Sequence, residues 1–283
     1  MTSHIQIVTL PNEKFISSYL ISRLAMIWQK QGHKITIGPA KHLDGDIGIL
    51  HMDRTWISDT SLPDNPQGRL LLNGSIRDIS KRRISSHLLG RYSSYIGPVI
   101  IKTNANYFGW PERSATSSRI MLQFYEKLME KNLSWRLTRQ FLPGGYPVLD
   151  SLGDIPTWVW RRNDLVVEKF LPEIEGDEFA LRVWVFFGDK EYGARMFSRN
   201  PVVKAKGITR YEYIYDVPDS LRKMRDKLGI NFGKFDYVIV NGEAILLDVN
   251  KTPTVAAPSP PNTNSPNIIS LASGLIDFLE GNK

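Results

Sequence analysis

The sequence predicts a mixed α/β (α+β) protein in two parts: a small open α/β domain with a parallel sheet over residues 1–90, then a larger α+β domain over 91–283. Three observations carry this. Within the opening forty residues, apolar side chains first alternate at strand spacing and then recur at helical spacing, the pattern of a βαβ unit. Beyond residue 98 the strands lengthen and tight-turn signals separate them, as in antiparallel hairpins. The composition, 42% hydrophobic and 23% charged over 283 residues without a repeat, is that of a chain able to bury a sizeable core.

Taken in order, Ile5, Ile7 and Leu10 mark a first strand, residues from about 12 to 32 a helix, and Lys34, Ile35, Thr36 and Ile37 a second strand. Within the helix Ile16, Leu20, Leu24, Ile27 and Trp28 share one face, with Asn12 placed to cap its start and Gly32 to end its last turn. Residues 46–51 supply a third strand. Val99, Ile100 and Ile101 form a short buried strand closed by Lys102, and a polar loop follows over 103–110. A helix over 117–131 puts Met121, Phe124, Tyr125, Leu128 and Met129 on one face. Residues 158–171 read as two strand segments around a turn at 161–164. One long hairpin spans 180–198 with its turn at 188–190, and another spans 235–250 with its turn at Asn241-Gly242, the strongest turn signal in the chain. A stretch rich in Pro, Ser and Asn over 258–266 separates it from a closing helix that carries Ile268, Ile269, Leu271, Ala272, Leu275, Ile276 and Leu279.

Composition removes whole classes of chemistry. With no cysteine there is no disulfide, thiolate nucleophile, zinc finger or iron–sulfur cluster. The longest apolar runs are about five residues against the roughly 20 that a bilayer span needs, so no transmembrane helix is expected. The first eight residues lack a basic segment followed by an apolar one, which predicts a cytoplasmic protein. Neither a Gly-x-x-x-x-Gly-Lys-Ser/Thr string nor a Gly-x-Ser-x-Gly elbow occurs, and the five histidines lack His-Glu-x-x-His spacing. The net charge of +7 favours an anionic partner.

The hairpin over 235–250 is the most informative segment. Side chains alternate across a strand, so Asp248 and Asn250 project from one face. A two-residue loop at Asn241-Gly242 would pair position 236 with 247 and throw the Asp236 carboxylate to the far side. A three-residue turn with Gly242 in a left-handed bulge position would bring it round, and that register is the one expected. Two carboxylates and an amide oxygen without imidazole or thiolate make a hard oxygen site suited to Mg2+ bridging phosphates. The plain alternative is a hairpin whose acids face solvent, but an unpaired carboxylate in an otherwise apolar strand costs several kcal/mol. Lys102, at a strand end before a loop, aims an ammonium and backbone N–H groups at a common point that suits phosphate, unless it is merely solvated. Residues 166–172 offer an extended segment whose backbone can pair with an adenine edge, with Phe170 and Leu171 lining the ring, unless they form an ordinary edge strand.

In this order the pieces resemble the ATP-grasp superfamily: an N-terminal α/β domain, a strand ending in lysine before a loop, a Glu-Lys-Phe-Leu hinge and a terminal Asp…Asp-x-Asn hairpin. The resemblance implies a pre-ATP-grasp domain followed by an ATP-grasp domain of two α+β subdomains, 91–165 and 166–283, that clamp a nucleotide. It implies that Lys102 contacts the α/β phosphates, that Glu168, Lys169, Phe170 and Leu171 hold adenine, and that Asp236, Asp248 and Asn250 bind one or two Mg2+ ions. Glu178, in Gly176-Asp177-Glu178, would hold the ribose; Arg182 and Arg195 would face the γ-phosphate or acyl-phosphate; Lys81 would be the second nucleotide lysine. Two features depart from the family: Asp248 stands where Glu is usual, and the loop after Lys102 is rich in asparagine rather than glycine.

The implied activity is an ATP- and Mg2+-dependent ligase joining a carboxylate to an amine through an acyl-phosphate, with release of ADP and phosphate. Its partners would be ATP and small-molecule or peptide carboxylates and amines, with the 258–266 loop covering the acceptor, no membrane, and a homodimer left open. A kinase on the same fold is the competing enzyme reading. A basic nucleic-acid or sulfated-polymer binder is the non-enzymatic one, prompted by +7 and by Lys81-Arg82-Arg83, but the basic residues are scattered and no nucleic-acid motif occurs.

Overall fold

The computed structural model describes residues 2–130, 134–141, 145–204, 207–255 and 265–281. The chain opens with β1 (His4–Val8), α1 (Leu20–Lys30), β2 (Lys34–Gly38), β3 (Ile47–Leu50) and β4 (Leu71–Leu72), the strands forming a parallel sheet in the order β2-β1-β3-β4. This is the open α/β unit expected. Its helix is shorter than expected, because residues 9–18 form a loop over the sheet: Asn12 has φ 62°, and the Glu13 carboxylate accepts the backbone N–H groups of Leu10 and Asp53. Asn12 therefore caps nothing, and Ile16 lies outside the helix. Gly32 does follow the last turn in left-handed backbone, φ 94°.

Next come α2 (Lys81–Ile84), β5 (Val99–Thr103), α3 (Trp110–Thr116), α4 (Arg119–Glu130), α5 (Trp135–Thr138), β6 (Val148–Leu149) and β7 (Leu165–Lys169). The last three strands make a small antiparallel sheet in the order β6-β5-β7. Only one of the two strands expected over 158–171 forms. Val159–Arg161 is a 3-10 turn whose apolar residues, Trp158, Val159 and Trp160, pack into the small domain's core without joining a ladder. Because β7 pairs with β5, the strand that straddles the expected 165/166 boundary belongs to the smaller sheet. On α4, Met121 and Phe124 are exposed while Tyr125 and Leu128 are half-buried, and Lys131, where the helix was expected to end, lies outside the described residues.

The remaining elements are β8 (Glu173–Glu175), β9 (Glu178–Phe187), β10 (Lys190–Ser198), β11 (Ile208–Ile214), α6 (Asp219–Leu228), β12 (Phe232–Val240), β13 (Glu243–Asn250), α7 (Pro266–Ser273) and α8 (Leu275–Glu280). They build an antiparallel sheet in the order β11-β10-β9-β12-β13, with β8 paired to β9. Strand alternation divides β9 between two cores. Val185 and Phe187 pack with Phe232, α1 and α7, whereas Trp184 and Phe186 pack with Phe235, Tyr237 and Leu221 of α6. Most of the Pro/Ser/Asn-rich stretch, 258–264, lies outside the described residues. Among the described residues no helix is long and apolar enough to cross a membrane.

The β12–β13 hairpin corrects one expectation. Val240 pairs with Glu243, so the turn has two residues, Asn241 and Gly242, with φ of 52° and 80°, as a primed turn demands. The ladder then runs regularly to Tyr237 opposite Leu246, where a β-bulge leaves Leu247 unpaired and sets Asp236 opposite Asp248. The two carboxylates share a face as expected, but the extra residue that achieves it sits in the strand and not in the turn.

Candidate nucleotide and metal site

One cavity lies between the small sheet and the β12–β13 hairpin. Lys81, Lys102, Lys169, Phe170, Leu171, Asp236 and Asp248 all line it, joined by Tyr146 and by the apolar Ile100, Leu181, Val238 and Leu247. Seven of the residues singled out in the sequence thus converge from α2, β5, β7 and its extension, β12 and β13.

The charges in the cavity are paired. Lys81 Nζ, on the first residue of α2, donates to Asp248 Oδ1 at 2.6 Å and to Asn106 Oδ1 at 2.8 Å. Lys234 Nζ donates to Asp236 Oδ2 at 3.1 Å, and lies 2.9 Å from Oδ1 at an angle that makes no hydrogen bond. Burial pushes the Asp236 carboxyl above its usual range; Lys234 pulls it down, and Asp248 across the hairpin adds to the rise. Lys102 Nζ is 2.7 Å from Glu168 Oε2. Burial alone would raise the Glu168 carboxyl, but the Lys102 ammonium, helped by His87, outweighs it and holds that carboxyl well below the usual carboxylate range.

Several sequence expectations are redrawn by this geometry. Glu168 is wholly buried and turned onto Lys102 and His87, so its side chain does not line the cavity. The backbone N–H groups of Lys169 and Phe170 donate to the carbonyls of His87 and Pro98. Asn250 Oδ1 accepts the Thr252 N–H at 2.8 Å and is not among the lining atoms. Glu178 is tied to Arg210 at 3.0 Å, also off the cavity.

Arg182 and Arg195 lie on the face of the sheet opposite Asp236. Arg182 pairs across the sheet with Tyr237, while Asp236 pairs with Val183, so strand alternation sends the arginine and the aspartate to opposite sides. Arg195 pairs with Arg182 and goes with it. There Arg182 holds Glu173 with three hydrogen bonds of 3.1, 2.9 and 2.8 Å, and Arg195 holds Glu173 at 2.7 Å and also Glu175. The cation that sequence reasoning missed is Lys234. It stands two residues before Asp236 and opposite Asn250, a same-face position that the alternation rule would have flagged. Asn106, which also donates to the Val249 carbonyl at 2.6 Å, was passed over inside an asparagine-rich loop.

Chemically, the cavity lining combines apolar side chains, Ile100, Phe170, Leu171, Leu181 and Val238, with the charged Lys81, Lys102, Lys169, Asp236 and Asp248. The facing carboxylates are hard oxygen donors of the kind Mg2+ takes, and Asp236 Oδ1 is buried without a hydrogen bond. They fit a divalent cation if Lys81 and Lys234 give way to it.

Comparison with known proteins adds the fold. Neither a scan against family models nor a search of curated proteins returns a match. Among solved structures, the chain is similar to a RimK domain ATP-grasp protein from Sphaerobacter thermophilus, with 11% identity, a TM-score of 0.51, and coverage of 98% of this chain and 100% of that one. It is also similar to the ATP-grasp ligase PsnB complexed with a minimal precursor, Mg and ADP, with 11% identity, a TM-score of 0.52, and 98% of each chain covered. The chain has the ATP-grasp fold.

Proposed function

We propose that this chain is an ATP- and Mg2+-dependent ligase that joins a carboxylate to an amine through an acyl-phosphate and releases ADP and phosphate. The observation that carries the reading is the convergence of Lys81, Lys102, the 169–171 segment and the facing pair Asp236 and Asp248 on one cavity lined by both apolar and charged side chains. The PsnB structure, an ATP-grasp ligase with Mg and ADP, supports it.

In this reading the adenine lies against Phe170, Leu171, Leu181 and Val238, and the phosphates extend toward Lys102 and Lys81. Bound Mg2+ would be held by Asp236 and Asp248 and would neutralise phosphate charge. Lys234 takes the place expected of the arginines, as the ammonium beside the transferring group, because Arg182 and Arg195 point to the opposite face of the sheet. Glu168 is a positioning residue that fixes the Lys102 ammonium. Catalysis of this kind needs no protein nucleophile; it rests on orientation and on charge placed in advance where the transferring phosphoryl group develops it.

The test is thermal. Mg·ATP raises the melting temperature of the wild type, and Asp248→Ala abolishes the rise; a wild type indifferent to every purine nucleotide overturns the reading. Phosphate release over paired carboxylate and amine libraries then separates ligase from kinase, since a kinase retains the phosphoryl group on its product.

A further inference from the structure

The net charge of +7 is not spread over the fold. Residues 81–170 hold 14 Lys and Arg against 7 Asp and Glu, whereas residues 1–80 carry +1 and residues 171–283 carry −1. The whole surplus therefore lies in the stretch that builds α2, the small sheet and its helices. Its basic residues are scattered in sequence, but folding gathers several of them at one edge of that sheet.

Trp135 and Trp158, both half-buried, lie 6.0 Å apart there, with Phe141 at 5.5 and 6.3 Å from them. Arginines overlie the tryptophans. The Arg136 guanidinium is 4.9 Å from the Trp135 ring, and those of Arg139 and Arg162 are 5.8 and 5.9 Å from the Trp158 ring. Arg162 also donates to the Arg139 carbonyl at 2.5 Å, and Arg113 to the Phe141 carbonyl at 3.4 Å. Arg82 extends the cluster from α2, donating to the Leu165 carbonyl at 2.9 Å, next to Asp164.

Two carboxylates stand among these five guanidiniums. Asp164 is taken by Arg162, and the Asp154 side chain accepts the Ser151 N–H and hydroxyl at 3.1 and 2.8 Å. Among the described residues Arg82, Arg113, Arg136 and Arg139 have no carboxylate at ion-pair distance, and Arg82, Arg136 and Arg139 are exposed. A guanidinium offers a phosphate two parallel N–H groups and offers a flat ring a stacking plane. A ligand that repeats an anion and a planar ring uses both properties, and bases that are not already stacked in a duplex are the ones such planes can take. A bilayer would want apolar tips outermost, but on α5 only Leu137 is an exposed apolar side chain, and the indole rings lie beneath charge.

We propose that this arginine–tryptophan cluster is a binding surface for single-stranded nucleic acid, with the guanidiniums on phosphates and the stacked planes on bases. It is distinct from the nucleotide cavity, although Arg82 directly follows Lys81, which lines that cavity.

The test is fluorescence anisotropy of the full chain with labelled oligo(U) and oligo(dT) of about 16 nucleotides. Both bind, and with about four phosphates engaged at a slope of about 0.7 each, affinity falls about 50-fold between about 50 and 200 mM salt. An abasic strand of the same length binds about tenfold or more weakly, the scale of one lost stacking contact. Arg136→Gln combined with Arg139→Gln weakens binding by about tenfold and lowers the salt slope by about 1.4, while the melting-temperature rise with Mg·ATP is kept. The proposal is overturned if neither oligonucleotide binds, if the abasic strand or a duplex binds as well as the single strand, or if phosphatidylglycerol vesicles bind and oligonucleotides do not. Those comparisons use the wild type and hold even if the double variant fails to fold; a folded double variant with undiminished affinity also overturns it. Since the surface and the cavity are separate, either can fail its test while the other passes.

Discussion

Lys251 carries a positive charge into a place that cannot solvate it. Burial lowers its pKa from 10.5 to about 7, against the pull of Asp53, Glu112 and Glu13. Between those two values the unfolded chain binds more protons than the folded one, so native stability rises with pH across that window, and below it the full penalty remains. Lys251→Met removes the penalty. Its melting temperature at pH 7 is expected to exceed that of the wild type, by on the order of a few kcal/mol of stability, and its pH dependence between pH 7 and 10 to be flatter; a parallel pair of curves would refute this. Glu168 has the opposite sign, because its folded pKa lies below the ordinary 4.5. Its contribution is complete above that value and is lost as pH falls beneath it. Glu168→Gln strands the Lys102 ammonium beside a neutral amide, and we expect a loss of about 3–5 kcal/mol in urea unfolding at pH 7, shrinking toward acid pH. Which residues face the cavity was only partly legible. Lys102 and Asp248 could be read from their places at a strand end and in an apolar strand, and Lys81 only through the family resemblance. Arg182 and Arg195 could not, because their face depends on how β9 registers against β12, a long-range pairing that no local pattern encodes.

At the scale of elements, the hairpin shows how one geometric result can arise from two devices. The Asn-Gly signal does make a tight primed turn, and that turn alone would set Asp236 and Asp248 on opposite faces; the bulge at Leu247 restores the match and also presents Leu247 to the cavity. A bulge in the middle of an apolar run leaves no compositional trace, which is why the turn was credited with the extra residue. The two devices respond differently to mutation. Gly242 has φ 80° with open space around its Cβ position, so Gly242→Ala meets no clash and only the backbone cost. That cost is about 1–2 kcal/mol, and Mg·ATP affinity should be unchanged because the turn is remote from the cavity; a lost melting-temperature response to nucleotide would show that the turn, and not the bulge, sets the facing of the carboxylates. Gly233 is the contrasting case, since a Cβ there would meet the Asn250 carbonyl oxygen at 2.8 Å, and Gly233→Ala should disturb the site itself. Helix boundaries were the other illegible feature: the apolar spacing from Ile16 onward is helical, but Glu13 claims the Leu10 and Asp53 N–H groups and holds that stretch as a loop.

For the whole molecule, the change of sequence pattern beyond residue 98 marks a change of architecture but not a break in packing. Ile5, Ile7, Ile47 and Ile49 of the first sheet share a core with Leu24 and Trp28 of α1, with Val185, Phe187 and Phe232 of the large sheet, and with Ile268 and Leu271 of α7. Polar contacts reinforce it. Trp28 Nε1 donates to the Ala272 carbonyl at 2.8 Å, the Leu20 N–H to the Pro253 carbonyl at 2.8 Å, and Asn73 Nδ2 to the Phe232 carbonyl at 2.8 Å. These contacts join the first 90 residues to the C-terminal third of the chain while β5, β6 and β7 keep a core of their own. A fragment of residues 1–90 would expose the face of α1 that α7 covers and lose the carbonyls that Trp28, Leu20 and Asn73 now bond, so it should show no cooperative thermal transition. In the intact chain, hydrogen exchange should find the amides of β1 and β3 protected to the same free energy as those of β9 and β12, with β5 and β7 free to open at lower cost, because cooperative unfolding units follow shared cores and not sequence order. A sharp melt from the isolated 1–90 fragment, or exchange of β1 well ahead of β12, would show that the two parts are energetically separate despite the core they share.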